Sequence, residues 1–260
     1  MNHFIIIIGY DAVPEDQKIE LIIPYEIDGY SVKELRDLSS QSDIDYYSLN
    51  TVINIELPKG LEIIGENAFE RCDNLISISI PNTVTTIGDS AFWGCNNLTS
   101  ITIPSSVTTI GSSVFYWCYR LTDISVAPGN TAYVDVEGVL YNKDKTKIIR
   151  YPSSKEGTEY IILDGVTTIA GDAFLEAHNL MHVTIPYGVT TINSAFSHSN
   201  ITSMTIPNSV TEITSYAFYF GPDLTTVNYR GTQEEWDAIT IGSNNSNLTN
   251  ATLVLNYTGE

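Results

Sequence analysis

Leu98-Thr-Ser-Ile-Thr-Ile-Pro-Ser-Ser-Val-Thr-Thr-Ile-Gly111, preceded by Ala91-Phe92-Trp93-Gly94-Cys95, is the stretch that decides the fold. Leu98, Ile101 and Ile103 end in alternation with Thr and Ser, as a strand with one buried face requires. Pro104 has no N–H and closes that strand. Val107 and Ile110 point back to the same interior from a second wall, and Gly111 is expected to let the chain turn. Residues 112–118 are too few for a helix that stands alone, so the sequence predicts a short helix or 3₁₀ turn held by packing.

The pattern recurs along the chain. Phe69, Phe92 and Phe115 lie 23 residues apart, and Phe174, Phe196 and Phe218 lie 22 apart. The step from Phe115 to Phe174 is 59, one period plus 36 inserted residues. Pro58, Pro81 and Pro104 keep the step of 23, whereas Pro186 and Pro207 are 21 apart, so the coil containing Phe196 is shorter by two residues. Six full repeats follow, with strand-like cores at 75–80, 98–103, 121–126, 180–185, 201–206 and 224–229. A period near 23 falls in the leucine-rich range. One such turn of chain cannot bury its apolar face alone. Stacking turns about 4.8 Å apart joins the strands into a parallel sheet and the apolar positions into one core.

The pattern IP-xx-V-TTIG-xx-AF-xx-C-xx-L, over residues 51–126 and 160–229, resembles the BspA-like leucine-rich repeat family, also called the Treponema pallidum type. The resemblance implies a β-rich, right-handed leucine-rich repeat solenoid. Its parallel sheet would line the concave face, with short helical or 3₁₀ turns on the other side. It also implies a non-catalytic, bacterial surface or secreted interaction module that binds host or neighbouring-cell proteins in adhesion. A carbohydrate-binding module and a spacer within a larger surface protein are the alternatives. Ordinary leucine-rich repeats carry an Asn after the strand. Here Thr83 and Ser106 take that place, and the asparagine ladder is expected to be absent.

Residues 1–50 read as an N-terminal cap with a degenerate repeat: Ile23-Pro24, then Ile27-Asp-Gly-Tyr30, then Val32 and Leu35, after a strand at 4–8. They carry ten acidic residues against three basic ones. Asp37, Asp43 and Asp45 fit no EF-hand spacing. Residues 51–229 are the solenoid. The segment 127–160 is read as a β-hairpin insertion with a basic tip of Lys143, Lys145 and Lys147, and the family carries similar insertions. Residues 230–260 read as a C-terminal cap, with a capping box at Thr232-Gln-Glu-Glu235 and an alternating run at 252–257. With both ends capped, the chain reads as one complete domain.

Composition narrows the function classes. Hydrophobic residues make up 43% and charged residues 17%, with a formal net charge of −19. Such a chain is repelled by phosphate backbones, so neither nucleic acid nor an anionic membrane surface is an expected partner. No apolar run reaches the length of a membrane span, and residues 1–8 lack the basic start of a signal peptide. The three cysteines, Cys72, Cys95 and Cys118, lie 23 apart and form no CxxC pair, so a buried column is expected rather than a metal or disulfide framework. The four histidines accompany no triad motif, and no phosphate loop or HExxH occurs. No cofactor and no metal are expected.

Two surfaces remain as candidates. The first is the outward face of the strands: Ser77, Ser79, Ser100, Thr102, Asp123, Ser125, His182, Thr184, Ser203 and Thr205, continued by Thr226 and Asn228. This ladder of short hydroxyls, polar and nearly uncharged, suits a protein or a glycan. The second is aromatic: Trp93 and Tyr116 one coil apart with Trp117 beside them, repeated by Tyr219 and Phe220. Clustered outer-turn aromatics favour a partner or a stacked sugar.

Overall fold

The computed structural model describes residues 19–27, 30–36, 52–222 and 224–259. The strand expected at 4–8, and Asp37, Asp43 and Asp45, lie outside them. The chain forms two compact units, Met1–Asp135 and Val136–Glu260. Each is a β-solenoid built from two parallel sheets and a third, hydrogen-bonded side.

In the first unit the front sheet runs through Ile19–Ile22, Val52–Glu56 and Ser77–Ile78, and continues in the pair Ser100–Ile103 and Asp123–Val126. The back sheet stacks Glu34–Leu35, Ile63–Ile64, Thr86–Ile87 and Thr109–Ile110. In the second unit the front sheet orders Glu159–Ile161, His182–Thr184, Ser203–Ile206, Thr226–Tyr229 and Thr252–Val254. Its back sheet holds Thr191–Ile192, Glu212–Ile213 and Thr240–Ile241. The register places equal motif positions side by side, Ile101 on Ile124 and Thr102 on Ser125. Residues 240–254 add a strand to both sheets of the second unit, so this segment forms a coil of its own after the short helix Gln233–Asp237. The capping box opens that helix: Thr232 Oγ1 accepts from the Glu235 N–H at 3.2 Å, and Glu235 Oε2 accepts from the Thr232 N–H at 2.8 Å.

Aromatic rings form a column inside each unit. Phe69 and Phe92 stack at 5.3 Å, and Phe92 and Phe115 at 6.1 Å. In the second unit Phe174 stacks on Phe196 at 5.0 Å, and Phe196 on Phe218 at 5.7 Å. Tyr151 stacks on Phe174 at 5.4 Å and so takes the phenylalanine place in the coil that the hairpin begins. The hairpin itself pairs Val139–Asn142 with Lys147–Arg150 antiparallel, and Lys147–Arg150 then joins Thr168–Ile169 in parallel.

The third side carries single turns, as one of the two forms expected from the sequence. Among the described residues, turns occupy the segments around these rings, and only Ser194–Phe196 is 3₁₀. The residue two after each ring is left-handed: Arg71, Gly94, Trp117, Glu176, His198 and Phe220. A right-handed helix cannot run through such a residue. Alternate backbone N–H groups reach the next coil, while those of Glu70, Cys72, Trp93 and Cys95 close turns onto the carbonyl three residues back. Phe69 N–H donates to Ala91 O at 2.8 Å and Arg71 N–H to Trp93 O at 2.6 Å, while His198 N–H donates to Tyr219 O at 2.8 Å. These bonds between coils satisfy the groups that a helix would have paired internally.

One expectation changes. Gly111 and its equivalent Gly88 serve close approach rather than turning: neither has a left-handed φ. A Cβ on Gly88 would sit 2.6 Å from the backbone of Gly65 and Glu66. Asparagines also bond between coils, ahead of the strand and not in the place after it. Asn97 Nδ2 donates to Asp73 O, Asn200 Nδ2 to His178 O, and Asn247 Nδ2 to Gly221 O, each at 2.7 Å. After the strand, hydroxyls do the same work: Thr83 Oγ1 donates to Leu61 O and Ser106 Oγ to Val84 O, both at 2.6 Å.

The cysteines are buried free thiols in one column, with Cys95 Sγ 3.2 Å from Phe69 O and Cys118 Sγ 3.2 Å from Phe92 O. Burial first, and then the neighbouring Cys72, push the Cys95 thiol well up, so it stays protonated.

Because each ring touches its counterparts in adjacent coils, Phe92→Ala should destabilise the protein by about 3–5 kcal/mol in denaturant unfolding. Gly88→Ala, which drives a methyl into the preceding backbone, should cost about 1–3 kcal/mol. Thr102→Ala, on the exposed face, should stay within about 0.5 kcal/mol of the parent.

Candidate functional site

Parallel pairing at motif register puts the outward residues of successive strands in rows. In the first unit Ser77, Ser79, Ser100 and Thr102 are exposed, and Asp123 and Ser125 are half-buried. Thr102 Oγ1 lies 3.2 Å from Ser125 Oγ, so hydroxyls bridge neighbouring strands. A shallow open depression lies over these rows, lined by Ser77, Ser79, Asn82 and Thr102 with Pro104 and Ala127 at its margin. Asn82 is a lining residue that the alternation of the strand did not point to, because it follows the proline that ends the strand. The lining is uncharged and mixed, with Ile78 and Ile80 between the polar residues. It offers hydroxyl and amide groups that donate and accept, and nothing in it carries a formal charge.

The second unit presents a different face. His182 is half-buried, and its Nδ1 lies 2.8 Å from Ser203 Oγ. Its Nε2 lies 3.3 Å from both Thr184 Oγ1 and Thr205 Oγ1. The ring therefore reaches across the two threonines, which are only 7% and 2% exposed. Thr184 and Thr205, expected to point outward into solvent, are instead partners of the imidazole. Strand alternation gave their side of the sheet correctly but not the covering ring. Both ring nitrogens are engaged by hydroxyls, so this Ser–His contact fixes the ring rather than poising a base toward solvent. Burial lowers the His182 pKa, and the nearby Glu159 carboxylate partly opposes this.

The aromatic residues also come together. Trp93 stacks on Tyr116 at 6.2 Å and meets Trp117 at 4.5 Å, and the Arg71 guanidinium lies 4.8 Å from the Trp93 ring centre. All three rings are half-buried. Their faces are spent largely on one another and on Arg71. In the second unit Tyr219 and Phe220 meet at 4.0 Å, with His198 4.9 Å from Phe220. Phe220 is 68% exposed, although its backbone is left-handed. Among the described residues, no group of three His, Cys, Asp or Glu side chains is placed to hold a metal ion, and no helix is long and apolar enough to cross a membrane.

The family model of the BspA-type leucine-rich repeat region matches residues 42–156 and 151–258, with six copies. The chain belongs to this family. Repeats of the BspA type are protein-interaction modules, and their solenoid is typically a non-catalytic scaffold. A leucine-rich repeat protein from Eubacterium ventriosum is 28% identical over 77% of this chain, with a TM-score of 0.55. This chain spans 66% of that protein, just under two thirds of its length. The pneumococcal vaccine antigen PcpA is 18% identical, with 97% of this chain and 90% of that one covered and a TM-score of 0.49. A leucine-rich repeat protein from Bacteroides ovatus is 19% identical, with 96% and 70% covered and a TM-score of 0.48. No curated protein matches the sequence.

The half-buried His178 and His182 imidazoles should make this BspA-type solenoid less stable in acid. His178 is also lowered, by burial and then by the Arg150 charge. A histidine in the unfolded chain titrates near ~6.5. The folded pKa values lie below that, so the unfolded chain takes up protons first as pH falls. The histidine contribution to stability should be full above about pH 6.5 and be lost as pH falls below it. Thermal unfolding across that window checks it. His182→Gln should flatten part of the slope and leave the share due to His178.

Proposed function

We propose that this chain is a protein-binding module of the bacterial cell surface or of a secreted protein, acting in adhesion or cell–cell contact without catalysis. It engages its partner through the front sheet of the first unit. The observation that carries this reading is the open depression floored by Ser77, Ser79 and Thr102 with Asn82 beside them. Rows of short hydroxyl side chains on a hydrogen-bonded sheet lose little freedom on binding, which favours a partner of complementary shape over a small charged ligand. The family membership supports the interaction role, and the family resemblance supports the location.

A glycan is the second reading, and one observation favours it: Phe220, with Tyr219 against it, is the most exposed phenylalanine among the described residues. A flat aromatic side chain open to water is a platform for a sugar ring. The Trp93 cluster supports a glycan less, since Arg71 and the neighbouring rings already cover it.

Binding to an immobilised panel of extracellular-matrix and cell-surface proteins tests the first reading. Ser79→Lys with Thr102→Lys should weaken any captured interaction at least about tenfold while leaving the melting temperature unchanged. A silent panel, or binding that ignores both substitutions, would count against the front face. A glycan array read with Phe220→Ala separates the second reading, which fails if binding to sugars is absent or unaltered.

A further inference from the structure

The hairpin of the second unit carries a charge pattern that the front-sheet reading does not use. Lys143, Lys145 and Lys147 are exposed, in a chain with 12 basic residues against 31 acidic ones. Among the described residues none of the three makes an ion pair, and Asp144, also exposed, offsets only one of them. The turn that holds them is rigid. Asn142 Oδ1 accepts from the Lys147 N–H at 2.8 Å, Asn142 Nδ2 donates to Thr146 Oγ1 at 2.9 Å, and Asn142 O accepts from the Lys145 N–H at 3.0 Å. Thr146 O then accepts from the N–H groups of Thr167 and Thr168 at 2.9 and 3.1 Å, which ties the tip to the next coil. A flexible solvated loop would need none of these bonds. Here the lysines start from a fixed backbone, and less freedom is lost when a partner orders them.

We propose that this tip is a contact site for a short acidic segment of a protein partner. The balance of charge selects that class. Lysine is a compact point charge that binds carboxylate and phosphate alike, without the bidentate fit that arginine gives to either. The one arginine of the hairpin, Arg150, is 2% exposed and turned inward, donating to Asp172 O at 2.7 Å and to Ser153 Oγ at 2.9 Å. Lysines alone are left for the partner. The net charge of −19 further disfavours a long, dense polyanion, whose length would meet repulsion beyond the tip. A short run of carboxylates meets only the local positive field.

The test uses the full chain and two probes, a short glutamate oligopeptide and heparin, each at low and at high salt. The oligopeptide should bind at low salt, and Lys143→Gln with Lys145→Gln and Lys147→Gln should weaken that binding about tenfold. High salt should weaken it to a similar degree. No binding of the oligopeptide, or binding that the triple variant retains, overturns the proposal. Heparin bound through the same lysines in preference to the oligopeptide overturns it in favour of a sulfated polysaccharide. A front-face variant without added charge, Ser79→Gln with Thr102→Gln, should bind the oligopeptide as the parent does, so loss of the front-face reading leaves this result standing.

Discussion

Hydrogen bonds between successive turns of chain are the constraint on which each unit depends. A coil of 21 to 23 residues is too small to close its own backbone pairing. Its N–H and C=O groups must find the coil before and the coil after. On two walls they do so as parallel strands. On the third they do so through turns in which left-handed residues recur at a fixed place, so that Phe69, Arg71, Phe174 and His198 all donate into the following coil. The backbone spacing this sets, near 4.8 Å, puts like side chains on like. Phenylalanines stack in a column, thiols lie above phenylalanine carbonyls, and asparagine amides reach back to the preceding coil.

The same constraint accounts for what looks unfavourable residue by residue. A tryptophan or a phenylalanine in the left-handed region costs about 1–2 kcal/mol. Trp117 and Phe220 occupy that region because the coil needs the turn at that position whatever the side chain. Where the coil changes, the substitutes keep the bond. Thr83 and Ser106 replace an amide with a hydroxyl and still reach a carbonyl at 2.6 Å. The glycine at the end of each TTIG motif is fixed by the nearness of the preceding backbone, which leaves no room for a Cβ at Gly88 or Gly111.

Once the interior is committed to stacking, variation falls on the outward faces, where function in a repeat scaffold resides. The first unit keeps a hydroxyl face without charge. The second replaces part of that face with an imidazole that spends its hydrogen bonds on Ser203, Thr184 and Thr205. The hairpin adds the concentrated positive charge of an acidic chain, held on a turn stiffened by Asn142.

By itself the sequence determined the coil. Its period of 22 or 23, the alternation before Pro104 and the recurring phenylalanines are one-dimensional signals of a structure that repeats along its axis, so position in the chain maps directly onto position in the stack. It also determined which side of each strand faces out. Tertiary structure alone decided how open those outward residues are, because exposure depends on neighbours one coil away. Thr102 is exposed, while Thr184 and Thr205, at equivalent places, lie under His182. It decided likewise that Tyr151, in a segment without the AF motif, completes the aromatic column of its unit, and that Trp93 is covered by Arg71 from the preceding coil. Hydrophobic periodicity specifies burial along a chain, but contact between side chains 23 residues apart is fixed only when the turns close and stack.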